Sequence, residues 1–145
     1  MLKYDFILKK VITVKKILIL SEDNSSCAVI AQGLINRYLN GIKAYSSTIN
    51  PNRYINLNTK KVLESISAWS NLYYPNKLDD LKDIEFNLVV TICETKNNLS
   101  LPFPKKTEVI AVPFQEPKDN NYNSYKDILK QIKEKLLPIV RKKLS

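Results

Sequence analysis

Four groups able to do chemistry stand close together near the start of the chain: the Ser21 hydroxyl, the Glu22 and Asp23 carboxylates, and the Cys27 thiol. Ser21 could act as a nucleophile only with a base to take its proton. The chain has no histidine, which removes histidine-based triads, most zinc sites and the usual general base. Cys27 could act as a redox thiol. A helix N-terminus there favours the thiolate, and the two neighbouring carboxylates oppose it. The second cysteine, Cys93, closes an apolar run, and Cys27 with Cys93 is the pair from which a thiol switch could be built. Two cysteines are too few for a disulfide scaffold.

Composition narrows the classes further. Gly33 and Gly41 are the only glycines, so a glycine-rich nucleotide loop is excluded. Lys and Arg outnumber Asp and Glu 23 to 14, a formal charge of +9, which suits an acidic partner. The lysines are spread along the whole chain, with mild clusters at Lys9–Lys16 and Lys142–Lys143, and lack the aromatic interleaving of base-stacking surfaces. The expected partner is therefore a protein and not nucleic acid. No apolar run approaches the ~20 residues that span a bilayer. Lys9 and Lys10 interrupt the apolar N-terminus and no small-residue cleavage site follows, so neither a signal peptide nor a membrane partner is expected and the cytoplasm is the expected compartment. No residue set implies a cofactor or a resident metal, and the sequence specifies no oligomeric state.

These groups must be positioned by a regular alternation of elements. Residues 16–20, Lys-Ile-Leu-Ile-Leu, read as a buried strand. Residues 24–39 carry apolar positions at helical spacing, with Val29, Ile30, Leu34, Ile35, Tyr38 and Leu39 on one face. A turn at Asn40-Gly41 leads to a short strand over 42–46. Residues 58–69 read as a helix and 78–81 as a single helical turn. Residues 86–93 and 107–114 read as strands. An amphipathic helix closes the chain, and Pro138 is expected to kink it or end its regular part. Strands alternating with helices predict the α/β class: a three-layer αβα arrangement around a four-stranded parallel sheet, Rossmann-like. Residues 1–14 form an N-terminal extension and 15–145 a single domain. Ligands of such sheets bind beyond the carboxyl ends of the strands, and the loop 21–28 lies at such an end.

Here the residues resemble a known family. Low-molecular-weight protein tyrosine phosphatases and the related thioredoxin-coupled arsenate reductases begin with a strand, a C-x5-R-S loop and a helix. A typical reductase reads LCTGNSCRSQMAEG, and this chain reads LSEDNSSCAVIAQG from Leu20 to Gly33 without a gap. The likeness continues through AYSSTINP (44–51), NLVVTICE (87–94), VPFQEP (112–117) and the terminal helix. It covers residues 15–143 in order and implies the low-molecular-weight phosphatase fold.

The resemblance also assigns positions. Ser21 stands where the family has its nucleophilic cysteine, and Cys27 where it has the arginine that forks onto an oxyanion. Glu116 matches the general acid aspartate, one carbon longer. The reductase's other two redox cysteines match Cys93, kept, and Ser100, lost. Asn24 and Ser25 match the loop scaffold, Ser46 matches the serine that supports the loop, and Gly33 sits where the helix passes close to a neighbour. Glu22 and Asp23 place negative charge where the family binds anions, opposing one by about 1 kcal/mol each.

A framework kept with its reagents gone implies a pseudoenzyme: a degenerate anion-binding loop on a phosphatase-like scaffold, with a non-catalytic binding or regulatory role. Two alternatives accompany this expectation. The first is an arsenate reductase or phosphatase acting with altered residues. The second is a thiol redox switch through Cys27 and Cys93. Glu22, Asp23 and Glu116 together would make a cation site only if all three carboxylates converged.

Overall fold

Five parallel strands form one sheet in the computed structural model, which describes residues 14–23, 26–50, 55–73, 76–92 and 103–145, apart from the side chains of Asp23, Ile49 and Asn50. The expected N-terminal extension lies outside these residues except for Val14. Strand β1 (Lys15–Asp23) is central. It pairs on one side with β2 (Ile42–Asn50) and on the other with β4 (Leu88–Thr91). The edges are β3 (Asn76–Lys77), on β2, and β5 (Glu108–Ala111), on β4. The order is therefore β3-β2-β1-β4-β5. Parallel strands covered on both faces read as continuous apolar runs, and Ile17, Leu18, Ile19 and Leu20 have no exposed surface.

The handedness of the connections decides what covers each face. A crossover between parallel strands is right-handed, so its direction along the sheet selects the face on which it packs. From β1 through β2 to β3 the chain steps one way, by helices α1 (Ser26–Tyr38) and α2 (Leu57–Ser65). From β3 to β4 and β5 it steps the other way. Accordingly Ile17, Ile19, Leu88 and Val90 pack with α1, α2 and the terminal helix α3 (Tyr122–Leu144). Leu18, Leu20 and Val89 face a thinner cover of Leu81 and Phe86, joined by Leu78 and Phe103. The change of direction occurs between β1 and β4, and ligand sites of such sheets open beyond the carboxyl ends of the strands at that point.

Strand ends shift by several residues from the sequence reading, β2 running on to Asn50 and β4 and β5 being confined to Leu88–Thr91 and Glu108–Ala111, and four further differences have a physical reason. The sheet has five strands and not four because β3 is only Asn-Lys, too short and polar to signal a strand. It is held by its register with Ser47 and Thr48 and by the Ser47 hydroxyl, which donates to the Asn76 carbonyl over 2.9 Å. Helix α2 stops at Ser65, short of Trp69. Ser67 takes a positive φ of 57°, its N–H bonds to Glu64 O and the Ala68 N–H bonds to Leu63 O. That 5→2 and 6→1 pair is the Schellman closure of a helix. Helix α3 does not end at Pro138 but runs through it to Leu144. Pro138 and Glu134 are both exposed, so the Glu134 carbonyl that loses its amide partner can turn to water. Finally, regular elements reach into the loop expected over 21–28: 21–23 continue β1, Asp23 is in register with Asn50, and α1 begins at Ser26, while residues 24 and 25 lie outside the described residues.

Gly33 meets the expectation of a close passage. A Cβ built there would lie 2.7 Å from Leu63 Cδ2 and 3.2 Å from the Ala68 carbonyl. Only glycine lets α1 approach α2 and its closing turn at this distance.

Candidate functional site

The carboxyl end of β1 and the first turn of α1 are the centre of the site. Ser21 is buried, and its hydroxyl donates to the Ser47 carbonyl of β2 over 3.5 Å. It therefore faces a backbone oxygen that cannot act as its base. In register beside it lies Thr48, 3 % exposed, whose hydroxyl finds no hydrogen-bond partner among the described residues. Alternation puts Thr48 on the same face as Ala44 and Ser46, the face of α1.

Helix α1 presents its first-turn amides at this end, where they have no partner within the helix and carry partial positive charge. The Ser26 N–H donates to Glu116 Oε1 over 2.8 Å, and the Cys27 N–H donates to the same oxygen over 3.4 Å. Glu116 belongs to the segment that leaves β5. Its approach is fixed upstream, where the Val112 N–H bonds to Thr91 O and the Phe114 N–H to Ile92 O, with Phe114 buried in the main core. Pro113 and Pro117 flank the exposed Gln115 and Glu116 and restrict the backbone between them. Cys27 has no exposed surface, and its thiol donates to the Gln115 carbonyl over 3.6 Å. These contacts join residues 115–116 to the start of α1.

Ser46 is buried and bonds to helix α1. Its hydroxyl donates to Gln32 Oε1 over 2.7 Å, and Gln32 Nε2 donates to the Ala44 carbonyl over 3.2 Å. These bonds fix α1 against β2 and so set the height of its first turn above the sheet. A second polar bridge closes the rim: Asn56 and Asn58 Nδ2 both donate to Asn120 Oδ1 over 3.0 Å, tying the start of α2 to the approach of α3.

The structure therefore brings together Cys27 and Glu116, while Ser21 bonds to Ser47 at the end of β1 and Ser46 to Gln32. Asn24, Ser25, Cys93 and Ser100 lie outside the described residues, as does the side chain of Asp23. Among the described residues no group of three or more His, Cys, Asp or Glu side chains is placed to hold a metal ion. Sequence reading missed Gln32, Gln115 and the Asn56–Asn58–Asn120 bridge. Gln32 carried a signal, since it is a polar residue on the buried face of an otherwise apolar helix. Gln115 acts through its backbone, which no side-chain pattern reveals. A separate cavity of about 880 Å³ opens at the amino ends of β1, β4 and β5, and neither Cys27 nor Glu116 lines it.

The fold is similar to that of solved structures. An arsenate reductase from Archaeoglobus fulgidus DSM 4304 matches with a TM-score of 0.73 at 22% identity, over 86% of this chain and 98% of that one. The fold is that of the arsenate reductases and low-molecular-weight protein tyrosine phosphatases. An arsenate reductase in its phosphate-binding state gives a TM-score of 0.75 at 15% identity, over 89% of this chain and 98% of that one. The low-molecular-weight protein tyrosine phosphatase of T. tengcongensis gives 0.71 at 14% identity, over 88% of this chain and 99% of that one. No family model and no curated protein matches the chain by sequence. Among the described residues no helix is long and apolar enough to cross a membrane.

Proposed function

We propose that this chain is a member of the arsenate reductase and low-molecular-weight phosphatase family that has lost catalysis and acts in the cytoplasm as a binding or regulatory protein for a protein partner. One observation carries the reading: the Glu116 carboxylate occupies the amides of Ser26 and Cys27. At the family's general-acid position, an acid must deliver a proton to a leaving group. Here that side chain instead accepts from the backbone of the anion-binding helix, where an incoming oxyanion would have to displace it. The arginine position supports the same reading, because Cys27 is buried, points to Gln115 and supplies no guanidinium. The net charge of +9 favours an acidic protein surface as partner.

The test is a p-nitrophenyl phosphate assay together with thioredoxin-coupled arsenate reduction on the purified protein. Rates equal to a heat-killed control are expected in both. Turnover well above that control, abolished by Ser21→Ala, would establish the alternative reading of an enzyme with altered residues.

A further inference from the structure

We propose that Glu116 is a latch: its carboxylate holds residues 113–117 as a strap across the first turn of α1, and release of that strap sets access to Cys27. The strap has one firm end and one weak stretch. Phe114 is packed in the core, its amide is bonded to Ile92 and the Lys135 ammonium lies 5.6 Å from its ring centroid. From Gln115 to Asn121 every residue except Pro117 is exposed. Among its contacts with the body of the protein are those of Gln115 and Glu116 with α1 and of Asn120 with Asn56 and Asn58. Segments with little buried surface and hydrogen bonds near solvent open locally, well below the cost of global unfolding.

What lies under the strap makes the opening consequential. The Cys27 thiol is fully buried in the first turn of α1, and it donates a hydrogen bond to the strap's own Gln115 carbonyl. The carboxylate bonds to the Ser26 and Cys27 amides are charge-assisted, the stronger class of hydrogen bond, and lie at the positive end of α1. Removing that carboxylate raises the open population without touching the sheet or the helix core. The inference concerns access and not turnover, so it stands whether or not the site is non-catalytic.

The experiment is alkylation of the native protein by iodoacetamide, with modification of the Cys27 peptide followed by mass spectrometry. Glu116→Ala should speed Cys27 alkylation roughly tenfold or more, the equivalent of one charge-assisted hydrogen bond, and Glu116→Gln should fall between the variant and the parent. Circular dichroism should show both variants folded. Equal rates in parent and Glu116→Ala, both folded, would overturn the latch. Hydrogen exchange of the parent gives a readout that needs no variant. The Ser26 and Cys27 amides should exchange by a local opening that is insensitive to low denaturant. Exchange of both only with the global unfolding of the β1 amides would overturn the proposal equally.

Discussion

The Ser46 hydroxyl and the Gln32 side-chain oxygen meet over 2.7 Å inside the interface between β2 and α1, both residues being buried. The same Gln32 amide donates to the Ala44 carbonyl. Neighbouring Asn36 repeats the pattern one turn on: the Ala44 N–H donates to its Oδ1 over 2.8 Å and its Nδ2 donates to the Ala44 carbonyl over 3.3 Å. A column of amide side chains therefore stitches the helix carrying the candidate site to the strand beside β1.

Ser46→Ala should cost about 1–3 kcal/mol, because it leaves the Gln32 oxygen buried without its donor. Adding Gln32→Met, which removes the orphan while keeping the volume, should recover part of that loss. Urea unfolding of the two single variants and the double variant completes a double-mutant cycle. Strictly additive losses would mean that the hydroxyl and the amide do not couple.

Gly33→Ala sets two effects against each other. Alanine gains about 1 kcal/mol of helix propensity over glycine, but its methyl would meet Leu63 at 2.7 and 3.0 Å. Leu63 is fully buried, and the Ala68 carbonyl at 3.2 Å belongs to the closing turn of α2. Overpacking of this kind typically costs about 1–3 kcal/mol, so net destabilisation is expected, and Gly33→Val should be worse. A thermal melt in which Gly33→Ala is more stable than the parent would refute the tight approach.

Pro138→Ala should stabilise the protein by about 1–3 kcal/mol. Alanine restores the hydrogen bond to Glu134 in an exposed part of a continuous helix and loses no buried surface. An unchanged or lowered melting temperature would contradict this.

Cys27→Arg should destabilise the protein by about 1–3 kcal/mol by pressing a guanidinium into a buried position. Combined with Ser21→Cys and Glu116→Ala, it should acquire stability that rises with inorganic phosphate, since a ligand bound only by the native state stabilises by mass action. The parent should melt at the same temperature with or without phosphate. A phosphate-dependent melt of the parent would mean that Glu116 does not keep the anion out.

Much of this was legible in the sequence because it is written in periodicity. The runs at 16–20 and 86–93 announce buried parallel strands, and the stripe from Val29 to Leu39 announces α1. Features set by tertiary register were not. Strand β3 exists because Ser47 and Thr48 offer it an edge, and the extension of β1 to Asp23 exists because β2 runs alongside. The resemblance could name Ser21, Cys27 and Glu116 as the residues to look at. The engagement of Glu116 with the helix could not, since it depends on where Phe114 anchors a segment some ninety residues away in sequence from Ser26. Pro138 does not end the helix, for a local reason: propensity rules describe a helix interior, and solvent access at one face relaxes them.

The placement of β1 at the middle of the sheet also bears on biosynthesis. Its second edge is covered only when Leu88–Thr91 have been made, because Leu20 pairs with Thr91. During the several seconds of translation between them, a strand whose Ile17–Leu20 are fully buried in the folded protein stands beside the ribosome with one side open. Chaperone capture or self-association of nascent chains therefore has its widest opportunity before the fourth strand arrives, and a truncation ending ahead of residue 88 should be recovered as aggregate.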